Sequence, residues 1–586
     1  MSAEALSSPE PRCIDVGSGE SWSLSQILDH AETLAKFLVS SFGGRRSTWN
    51  TGGANVDYEV ITVGVLAPNI PAIPIVAYSC MAAGLPVTPL PVGSSSSEIA
   101  YLVCLAQCEI VFVHPSQLET IKTSGYPAER IILTEPFEGW DGQILPDLLV
   151  IARSLPEFTI DGKHPMPKHQ VALVVFSSGS TGNPKAVMIT HQNIYALLIC
   201  RVLTSGANVG VEKKTAVILS VLPMYDVADC LIHNSKAIFM ERGPNMRPYS
   251  RFLIGVIIPL LDGVTQCIMR SWNVKAVFRA IAEYNITTLG LVPTMALQII
   301  SAADQLEDVD LSSLNSVFVG SSAINPIQKQ RLFELLTSRG ALTGQQDGSS
   351  IIDGYGMSET TSAITTWSKD GTPASRARLG TVGFLIPGSE ARIISEFSDN
   401  PMGEDVPKHT PGELCLRSPT IMKGYLGNPE ATRATFTADG WLRTGDKMRI
   451  DAEGHLIYFD RLKDTFKNRG KQVSPSEISS LIYKHHSDLI AEISVIGVPA
   501  QGDSETVGEE AWAFLALKVD SLSQKEKERL AESIKAITRE QLSIHKWVVR
   551  VEFLDELPKG STHKILVRAL RDLAIKLTTN KHQSKL

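Results

Sequence analysis

Residues 174–193 have the sequence VVFSSGSTGNPKAVMITHQN, in which an apolar strand runs directly into a loop of Ser, Gly and Thr followed by a lysine. The spacing excludes a Walker-type phosphate loop, because that motif needs Ser or Thr after its lysine and here Lys185 is followed by Ala186. The loop still offers backbone N–H groups and hydroxyls in one short run, an arrangement that binds phosphate oxygens. A plain turn has the same composition, so the flanking sequence must decide between the two.

The segments around this loop alternate between apolar strands and helical patterns. Strand-like runs occur at 109–114, 171–176, 215–223, 287–293 and 316–320, and helix-like runs at 23–42 and 325–340. Such alternation is typical of α/β architecture with largely parallel sheets. After about residue 380, short strands and Gly/Pro turns indicate a smaller β-rich subdomain, and a fresh αβ pattern begins at Lys463. We therefore predict an α/β fold, with a large N-terminal domain of αβ-layered sheets plus the β-rich subdomain (1–462) and a small α+β C-terminal domain (463–586).

The composition is that of a globular protein with more than one domain. The chain has 586 residues, of which 43% are hydrophobic and 20% charged. A net charge of −7 argues against a nucleic-acid partner. The eight cysteines show no paired framework, and the 13 histidines form no zinc-binding motif. We expect reduced thiols and no zinc site.

The uncharged segment 60–97 is the one place where a membrane span needs to be considered. Six prolines interrupt it, so it contains no unbroken apolar run of about 20 residues. A buried strand–helix–strand unit accounts for it better, and no transmembrane segment is expected. The N-terminal residues contain acids and prolines and lack the apolar core of a secretory signal.

Four further stretches carry polar groups suited to nucleotide chemistry. They are DGYGMSETTS (353–362), WLRTGD (441–446), DRLKDTFKNRGKQVSPSEI (460–478) and LPKGSTHKILVR (557–568). Taken singly, Glu359 could be a solvated loop acid, Asp446 a turn former and Lys564 an exposed lysine at a helix start. In this order and spacing, however, the stretches resemble the AMP-forming adenylating superfamily of acyl-CoA synthetases, adenylation domains and firefly-type luciferases. The resemblance extends from Gly64 to Arg568.

The resemblance implies that the opening stretch is the superfamily's phosphate loop, of the form [ST]-S-G-[ST]-T-G-x-P-K-G. This loop would hold the β- and γ-phosphates of ATP. Its residues here are Ser177, Ser178, Gly179, Ser180, Thr181, Gly182 and Lys185. By the same resemblance, Glu359 is expected to bind the Mg2+ on the phosphates.

The nucleoside part of ATP has its own expected contacts. The resemblance implies that Tyr355 stacks on adenine, that Asp353 lies at the adenine edge, and that Asp446 accepts the ribose hydroxyls, as acids do in dinucleotide folds. Arg461 would assist at the ribose. The remaining nucleotide-site candidates are Gly354, Gly356, Ser358, Ser321 and Ser322.

The chemistry implied by the resemblance has two steps. A carboxylate first attacks the α-phosphate, and Lys564 would bridge the two anions, since positive charge and positioning are what this attack requires. A thiol then attacks the acyl-adenylate. For this step the mobile C-terminal domain would turn at Lys463 and bring Lys467 and Gly470 toward the active site.

The acyl pocket is expected at the positions that line it in the superfamily. These are Tyr225, Asp226, Gly290, Val292, Ser321, Ser322 and Gly356. Three residues depart from the superfamily pattern: Ala186 and His563 replace glycines, and Asp226 stands where a histidine is usual. Asp226 indicates either an unusual acid substrate or a side chain rotated away from the pocket.

The sequence thus predicts an ATP-dependent acid:CoA ligase that uses ATP, Mg2+ and coenzyme A. The alternatives are an enzyme that loads a carrier protein in trans, a luciferase-like oxygenase, and an inactive nucleotide-binding protein. Too few residues follow Lys564 for a carrier domain in the same chain, and the inactive alternative predicts loss of Glu359, Asp446 or Lys564, which are all present. The last residues, Ser584-Lys585-Leu586, match a peroxisomal address, so we expect an import receptor as a partner and the peroxisome as the location.

Overall fold

The structure is a computed structural model. It describes residues 11–42, 61–156, 169–177, 184–204, 216–222, 224, 264–303, 306, 308–320, 324, 326–342, 351–367, 380–396, 400–500, 508–518, 522–559 and 565–583. None of the helices formed by these residues has both the length and the hydropathy that a membrane crossing requires.

The first part of the described chain alternates strands and helices, as the sequence predicts. Its strands are β1 (Pro11–Asp15), β2 (Ser21–Ser23), β3 (Thr62–Leu66), β4 (Val87–Pro89), β5 (Cys108–Val113), β6 (Ile131–Leu133), β7 (Val171–Ser177), β8 (Lys185–Thr190), β9 (Val217–Ser220), β10 (Thr265–Ile268), β11 (Thr288–Leu291), β12 (Ser316–Val319) and β13 (Ile351–Asp353). Its helices are α1 (Leu24–Phe42), α2 (Ala72–Ala83), α3 (Ser96–Leu105), α4 (Leu118–Thr123), α5 (Leu145–Ala152), α6 (His191–Thr204), α7 (Val274–Tyr284), α8 (Pro293–Ser301) and α9 (Pro326–Ser338).

The later part of the chain is rich in short strands and then returns to an αβ pattern. The β-rich segment contains β14 (Gly356–Met357), β15 (Ser362–Ala363), β16 (Thr365–Thr366), β17 (Phe384–Leu385), β18 (Glu390–Ile394), β19 (Gly412–Arg417), β20 (Gly424–Tyr425), α10 (Pro429–Thr435), β21 (Leu442–Ile450) and β22 (Leu456–Arg461). The last segment contains β23 (Phe466–Asn468), β24 (Lys471–Val473), α11 (Pro475–His486), β25 (Ile490–Pro499), β26 (Glu509–Leu517), α12 (Gln524–Gln541), β27 (Val548–Leu554) and α13 (Val567–Gln583).

Two seven-stranded sheets form the body of the molecule. The first has the order β13-β12-β11-β9-β10-β1-β2, with every pair parallel except β1–β2. The second has the order β20-β8-β7-β4-β3-β5-β6, in which β8 pairs antiparallel with both β7 and β20. The prediction of largely parallel sheets is confirmed. Because parallel strands end at the same sheet edge, this topology collects the loops that follow them.

The uncharged segment near the N-terminus forms the centre of the second sheet. All five residues of β3 are buried, and α2, which follows it, carries apolar residues on every face. Strands buried on both faces have continuous apolar sequences, which explains the absence of charge. The amphipathic α1 packs on α2 with a buried face that includes Ile27, Leu34 and Leu38. The predicted strand–helix–strand unit is confirmed.

The two smaller units also match the predicted fold class. A four-stranded antiparallel sheet, β18-β19-β21-β22, forms the β-rich subdomain. The C-terminal segment has a three-stranded sheet, β25-β26-β27, against which α11, α12 and α13 pack. The α+β character of this segment is confirmed, while the domain boundary between 462 and 463 stays a prediction.

One buried side chain, Asn69, ties the two large sheets together. It follows β3 of the second sheet, and its Nδ2 donates to the carbonyl of Leu222, which follows β9 of the first sheet, at 2.8 Å. Its Oδ1 accepts from the backbone N–H of Met224 at 2.8 Å. A single amide thus satisfies an acceptor and a donor on the chain that leads to the predicted acyl pocket.

We predict that Asn69→Ala will destabilise the protein by about 2–4 kcal/mol, because it leaves two buried backbone groups without this partner and each such group costs about 1–3 kcal/mol. The thermal unfolding midpoint should fall by several degrees. The matched control is Asn273→Ala, which removes the exposed cap of α7, where Asn273 accepts from Ala276 N–H at 3.0 Å, and should cost about 1 kcal/mol. Equal midpoints for the two variants would contradict the bridging role of Asn69.

Candidate active site

The opening loop connects two antiparallel strands at the edge of the second sheet. Ser177 at the end of β7 pairs with Lys185 at the start of β8, so these two residues form the base of the loop. The other predicted phosphate-site residues, Ser178, Gly179, Ser180, Thr181 and Gly182, lie outside the described residues. The described base places a residue with a hydroxyl and a residue with an ammonium group opposite one another.

Glu359 lies beside this base, held by a tyrosine from a third strand. It sits in a short 3-10 turn, Ser358–Thr360, and is 5% exposed. The hydroxyl of Tyr425 on β20 donates to Glu359 Oε1 at 2.9 Å, and Lys185 Nζ lies 4.8 Å from the centre of the Tyr425 ring. The tyrosine therefore links the phosphate-loop lysine to the predicted metal-binding acid. No sequence pattern identifies Tyr425, since it reaches the site through the distant pairing of β20 with β8.

Asp446 is the most enclosed of the predicted ribose-site residues, at 2% exposure. The hydroxyl of Tyr355 donates to Asp446 Oδ2 at 2.7 Å, and Arg461 Nε lies 3.3 Å from Oδ1. Burial raises the pKa of Asp446, while Arg461 and the Tyr355 hydrogen bond act to lower it. The structure thus brings three predicted residues into direct contact. Their arrangement leaves a carboxylate whose oxygens can accept from a diol.

The turn that presents Asp446 is fixed by a buried acid that none of the motifs includes. Gly445 adopts φ 69°, a conformation that favours glycine. Its N–H donates to Glu413 Oε1 at 3.1 Å, and Arg443 Nη2 lies 2.6 Å from Glu413 Oε2. The signal that could have identified this acid is its position in the otherwise buried strand β19.

Asp353 at the end of β13 is paired with a buried lysine. Lys329 Nζ donates to Asp353 Oδ2 at 2.8 Å and lies 5.0 Å from the centre of the Trp367 ring. Burial raises the pKa of Asp353, and the charge of Lys329 opposes that shift. Lys329 was missed from sequence, although it lies on the buried face of α9 with Leu332, and a lysine on such a face signals a buried charge.

The predicted acyl pocket is described in part. Gly290 lies in β11, where an added Cβ would stand 3.3 Å from Leu222 Cδ1, and Val292 is buried in the apolar core of the first sheet. Tyr225, Asp226, Ser321 and Ser322 lie outside the described residues. The remaining predicted residues, which lie in the turn between the two acids of this segment, are Gly354, Gly356 and Ser358.

The predicted hinge lies at the rim of this site. Burial lowers the pKa of Lys463, as does Arg461, whereas the carboxylates of Asp464, Asp446 and Glu359 raise it. Lys467 is exposed in the β23–β24 hairpin, whose turn contains Gly470 at φ 72°. Lys564 lies outside the described residues.

A comparison with known protein families identifies the fold family. The family described as AMP-binding enzyme matches residues 2–248 and 249–426. The chain belongs to this family. The resemblance inferred from the motifs is therefore confirmed.

Curated relatives of this AMP-binding enzyme align over most of the chain. The 4-coumarate–CoA ligase-like 4 of Oryza sativa subsp. japonica is 29% identical over 522 residues, 88% of this chain and 83% of that protein. The peroxisomal OPC-8:0-CoA ligase 1 of Arabidopsis thaliana is 28% identical over 563 residues, 96% of this chain and 90% of that protein. The luciferin 4-monooxygenase of Photuris pensylvanica is 32% identical over 419 residues, 71% of this chain and 65% of that protein.

Solved structures of adenylating enzymes share the fold. The ATP-bound RpMatB-BxBclM chimera B3 superposes with a TM-score of 0.74 at 21% identity, covering 98% of both chains. The anthranilate CoA ligase AuaEII, in complex with anthranoyl-AMP, gives a TM-score of 0.73 at 21% identity, covering 97% of this chain and 94% of that chain. The predicted fold class is confirmed.

Gly356 makes the closest backbone approach in the turn that carries Tyr355 and Glu359. A Cβ at this position would lie 2.3 Å from the carbonyl oxygen of Ser362 and 2.5 Å from Ala363 Cα, on the partner strand β15. Backbone atoms cannot move aside as a flexible side chain can. The turn is therefore built around the missing side chain.

We predict that Gly356→Ala will lower stability by about 1–3 kcal/mol, the usual cost of forcing extra atoms into a packed interior. It should also weaken ATP binding, because separating β14 from β15 shifts both flanking side chains. Thermal unfolding and nucleotide titration measure the two effects. Gly320→Ala is the control for stability, since its Cβ would meet no atom within 4 Å. Unchanged stability and ATP affinity in Gly356→Ala would contradict the steric argument.

Proposed function

We propose that this protein is an ATP-dependent acid:CoA ligase that forms an acyl-adenylate and then an acyl-CoA thioester. The observation that carries the proposal is the placement of two buried carboxylates around one turn. Glu359 contacts the phosphate-loop side through Tyr425, and Asp446 contacts Tyr355. Membership of the AMP-binding family and the names of the CoA-ligase relatives support the same activity.

The first step overcomes the low reactivity of a carboxylate. An oxygen of the acid attacks the α-phosphorus of ATP, the bond to the oxygen that bridges the α- and β-phosphates breaks, and pyrophosphate leaves. Both partners are anions, so positive charge and alignment lower the barrier most. Lys564 is proposed to supply that charge between the acid and the α-phosphate, by analogy with the superfamily.

The phosphate end of the site is proposed to consist of the loop that starts at Ser177 and ends at Lys185. A bound Mg2+ would neutralise part of the triphosphate charge. Glu359 fits such an ion, since Mg2+ in nucleotide sites takes one or two carboxylates together with phosphate oxygens. Tyr425 would hold Glu359 in place, because its hydroxyl occupies one carboxylate oxygen without neutralising the charge.

The nucleoside end is proposed to rest on Tyr355 and Asp446. The aromatic ring of Tyr355 would stack on the base, while its hydroxyl fixes the ribose-binding acid. Asp446 would accept the ribose hydroxyls with Arg461 alongside. The hydrogen bond between Tyr355 and Asp446 would thus align the base and sugar contacts with one another.

The second step transfers the acyl group to a thiol. The sulfur of coenzyme A attacks the acyl carbon, the bond from that carbon to the phosphate oxygen breaks, AMP leaves, and the thiol proton passes to solvent. We propose that residues 463–586 turn at Lys463 between the steps, which would replace Lys564 by Lys467. The small residue Gly290 favours an acid of medium or long chain, or an aryl acid, over acetate.

A luciferase-like oxygenase is the second candidate, supported by the luciferin 4-monooxygenase relative. Both candidates share adenylate formation, so the second step separates them. Thioester formation from a supplied acyl-adenylate and CoA supports the ligase. Oxygen uptake with light emission, and no thioester, would replace it by the oxygenase.

The two lysines are predicted to act in different half-reactions. With the best acid from a panel of carboxylic acids, Lys564→Ala should lower acid-dependent ATP–pyrophosphate exchange by about a hundredfold or more, the usual cost of losing one transition-state charge contact. It should still convert supplied acyl-adenylate and CoA to thioester. Lys467→Ala should show the reverse pattern.

Lys525→Ala, which changes an exposed residue of α12, is the control and should leave both half-reactions unchanged. If Lys564→Ala and Lys467→Ala lose both half-reactions equally, the two-orientation mechanism is wrong. A single fixed site would then be required.

We also propose that the protein is peroxisomal, on the basis of the terminal Ser584-Lys585-Leu586 and of one relative that is named peroxisomal. Residues 578–586 fused to a fluorescent protein should direct it to peroxisomes in a punctate pattern. The same fusion ending at Gln583 should stay in the cytosol. Punctate import of the shortened fusion would contradict the assignment.

A further inference from the structure

Lys329 is a lysine in the interior of the molecule. It lies on α9 and is 2% exposed, although a lysine is rarely buried without a partner. Its ammonium group lies 2.8 Å from Asp353 Oδ2, and it also faces the ring of Trp367 at 5.0 Å. A buried ion pair of this kind gives little net stability compared with apolar residues. Its presence therefore points to a function other than stability.

The other oxygen of Asp353 is the unusual atom. Oδ1 is buried and accepts no hydrogen bond within the described part of the chain, although the side chain as a whole is 16% exposed. Buried polar atoms normally have partners, so an orphaned acceptor in a binding site indicates a donor on the ligand. Asp353 ends β13 at the carboxyl edge of the first sheet, two residues before Tyr355.

We infer that Lys329 is a positioning residue that holds Asp353 as an ionised acceptor, so that Oδ1 selects purines with a 6-amino group over those with a 6-oxo group. The inference rests on the proposed function, which places adenine against Asp353 and Tyr355. The 6-amino group of adenine donates to Oδ1. In the same pose a 6-oxo group presents an acceptor to an acceptor, which is repulsive.

The charge of Lys329 is what keeps the discrimination one-sided. Burial raises the pKa of Asp353, and Lys329 counteracts that shift. An ionised carboxylate accepts and cannot donate, whereas a protonated carboxyl group also donates. Without Lys329 the carboxyl group would take up a proton more readily and could donate to a 6-oxo group. Loss of the lysine should therefore relax selectivity as well as weaken ATP binding.

Equilibrium binding of ATP and of inosine triphosphate (ITP), which carries a 6-oxo group and no 2-amino group, tests the inference by calorimetry without any acid substrate. The wild-type protein should bind ATP at least about tenfold more tightly than ITP, the scale of one lost and opposed hydrogen bond. Lys329→Met, similar in length but uncharged, should bring the two Kd values to within about threefold of each other, since Asp353 can then donate. Lys329→Arg keeps the charge and should keep the preference.

A second variant covers the case in which Lys329→Met fails to fold. The double variant Lys329→Met/Asp353→Asn leaves no unpaired buried charge, and its amide can either donate or accept, so it should also lose the preference. If the variants weaken ATP and ITP equally and the Kd ratio stays at the wild-type value, Lys329 is structural and the inference is wrong.

The wild-type protein separates this inference from the proposed function. Tight ATP binding with equal ITP binding would overturn the purine selectivity alone. No binding of either nucleotide would overturn the proposed function itself.

Discussion

Three carboxylates must stay charged in the interior of this site, and much of the surrounding structure meets that constraint. Asp353, Glu359 and Asp446 lie within or beside one turn, and the transfer of an unpaired charge from water into a protein interior is costly. Each is stabilised by a different donor. Asp353 receives the full charge of Lys329, Glu359 a tyrosine hydroxyl, and Asp446 a tyrosine hydroxyl together with the guanidinium of Arg461.

The choice of donor follows from the proposed use of each acid. A lysine paired with Glu359 would compete with a divalent cation for the same oxygens, whereas a hydroxyl satisfies one lone pair and leaves the charge in place. Lys185 instead faces the ring of Tyr425, whose hydroxyl makes the contact with this acid. Asp353, by contrast, is proposed to contact a neutral base, so a permanent cation beside it does not compete with the ligand.

Much of the fold could be predicted from sequence because its signals are local. Apolar strands and amphipathic helices carry their periodicity within about ten residues, so α1, β7 and the β-rich subdomain were identified correctly. The grouping of Tyr355, Asp446 and Arg461 followed from the superfamily resemblance. Tyr425 and Lys329 were missed, because strand pairing and helix packing between segments distant in sequence bring them to the site.

The contacts across the proposed hinge determine how readily the C-terminal segment can turn. Arg331 on α9 pairs with the exposed Asp488 at 3.0 Å, a contact that water can replace at a cost of about 0–1 kcal/mol. Asp460, just before the hinge, accepts from Ser476 Oγ at 2.8 Å, a bond to a flexible hydroxyl that can find other partners. The apolar contact is different, since Leu297 on α8 belongs to the same buried cluster as residues of the C-terminal sheet.

Exposing Leu297 costs free energy in proportion to the apolar area uncovered, and water offers no substitute partner. The polar contacts therefore contribute little preference for this orientation, and the apolar contact at α8 contributes most of it. For the second half-reaction to proceed, the turned orientation must be favoured by at least that amount through the contacts it gains. The acyl-adenylate is the species that can supply them, because it is present only after the first step, and this couples the proposed turn at Lys463 to the chemistry.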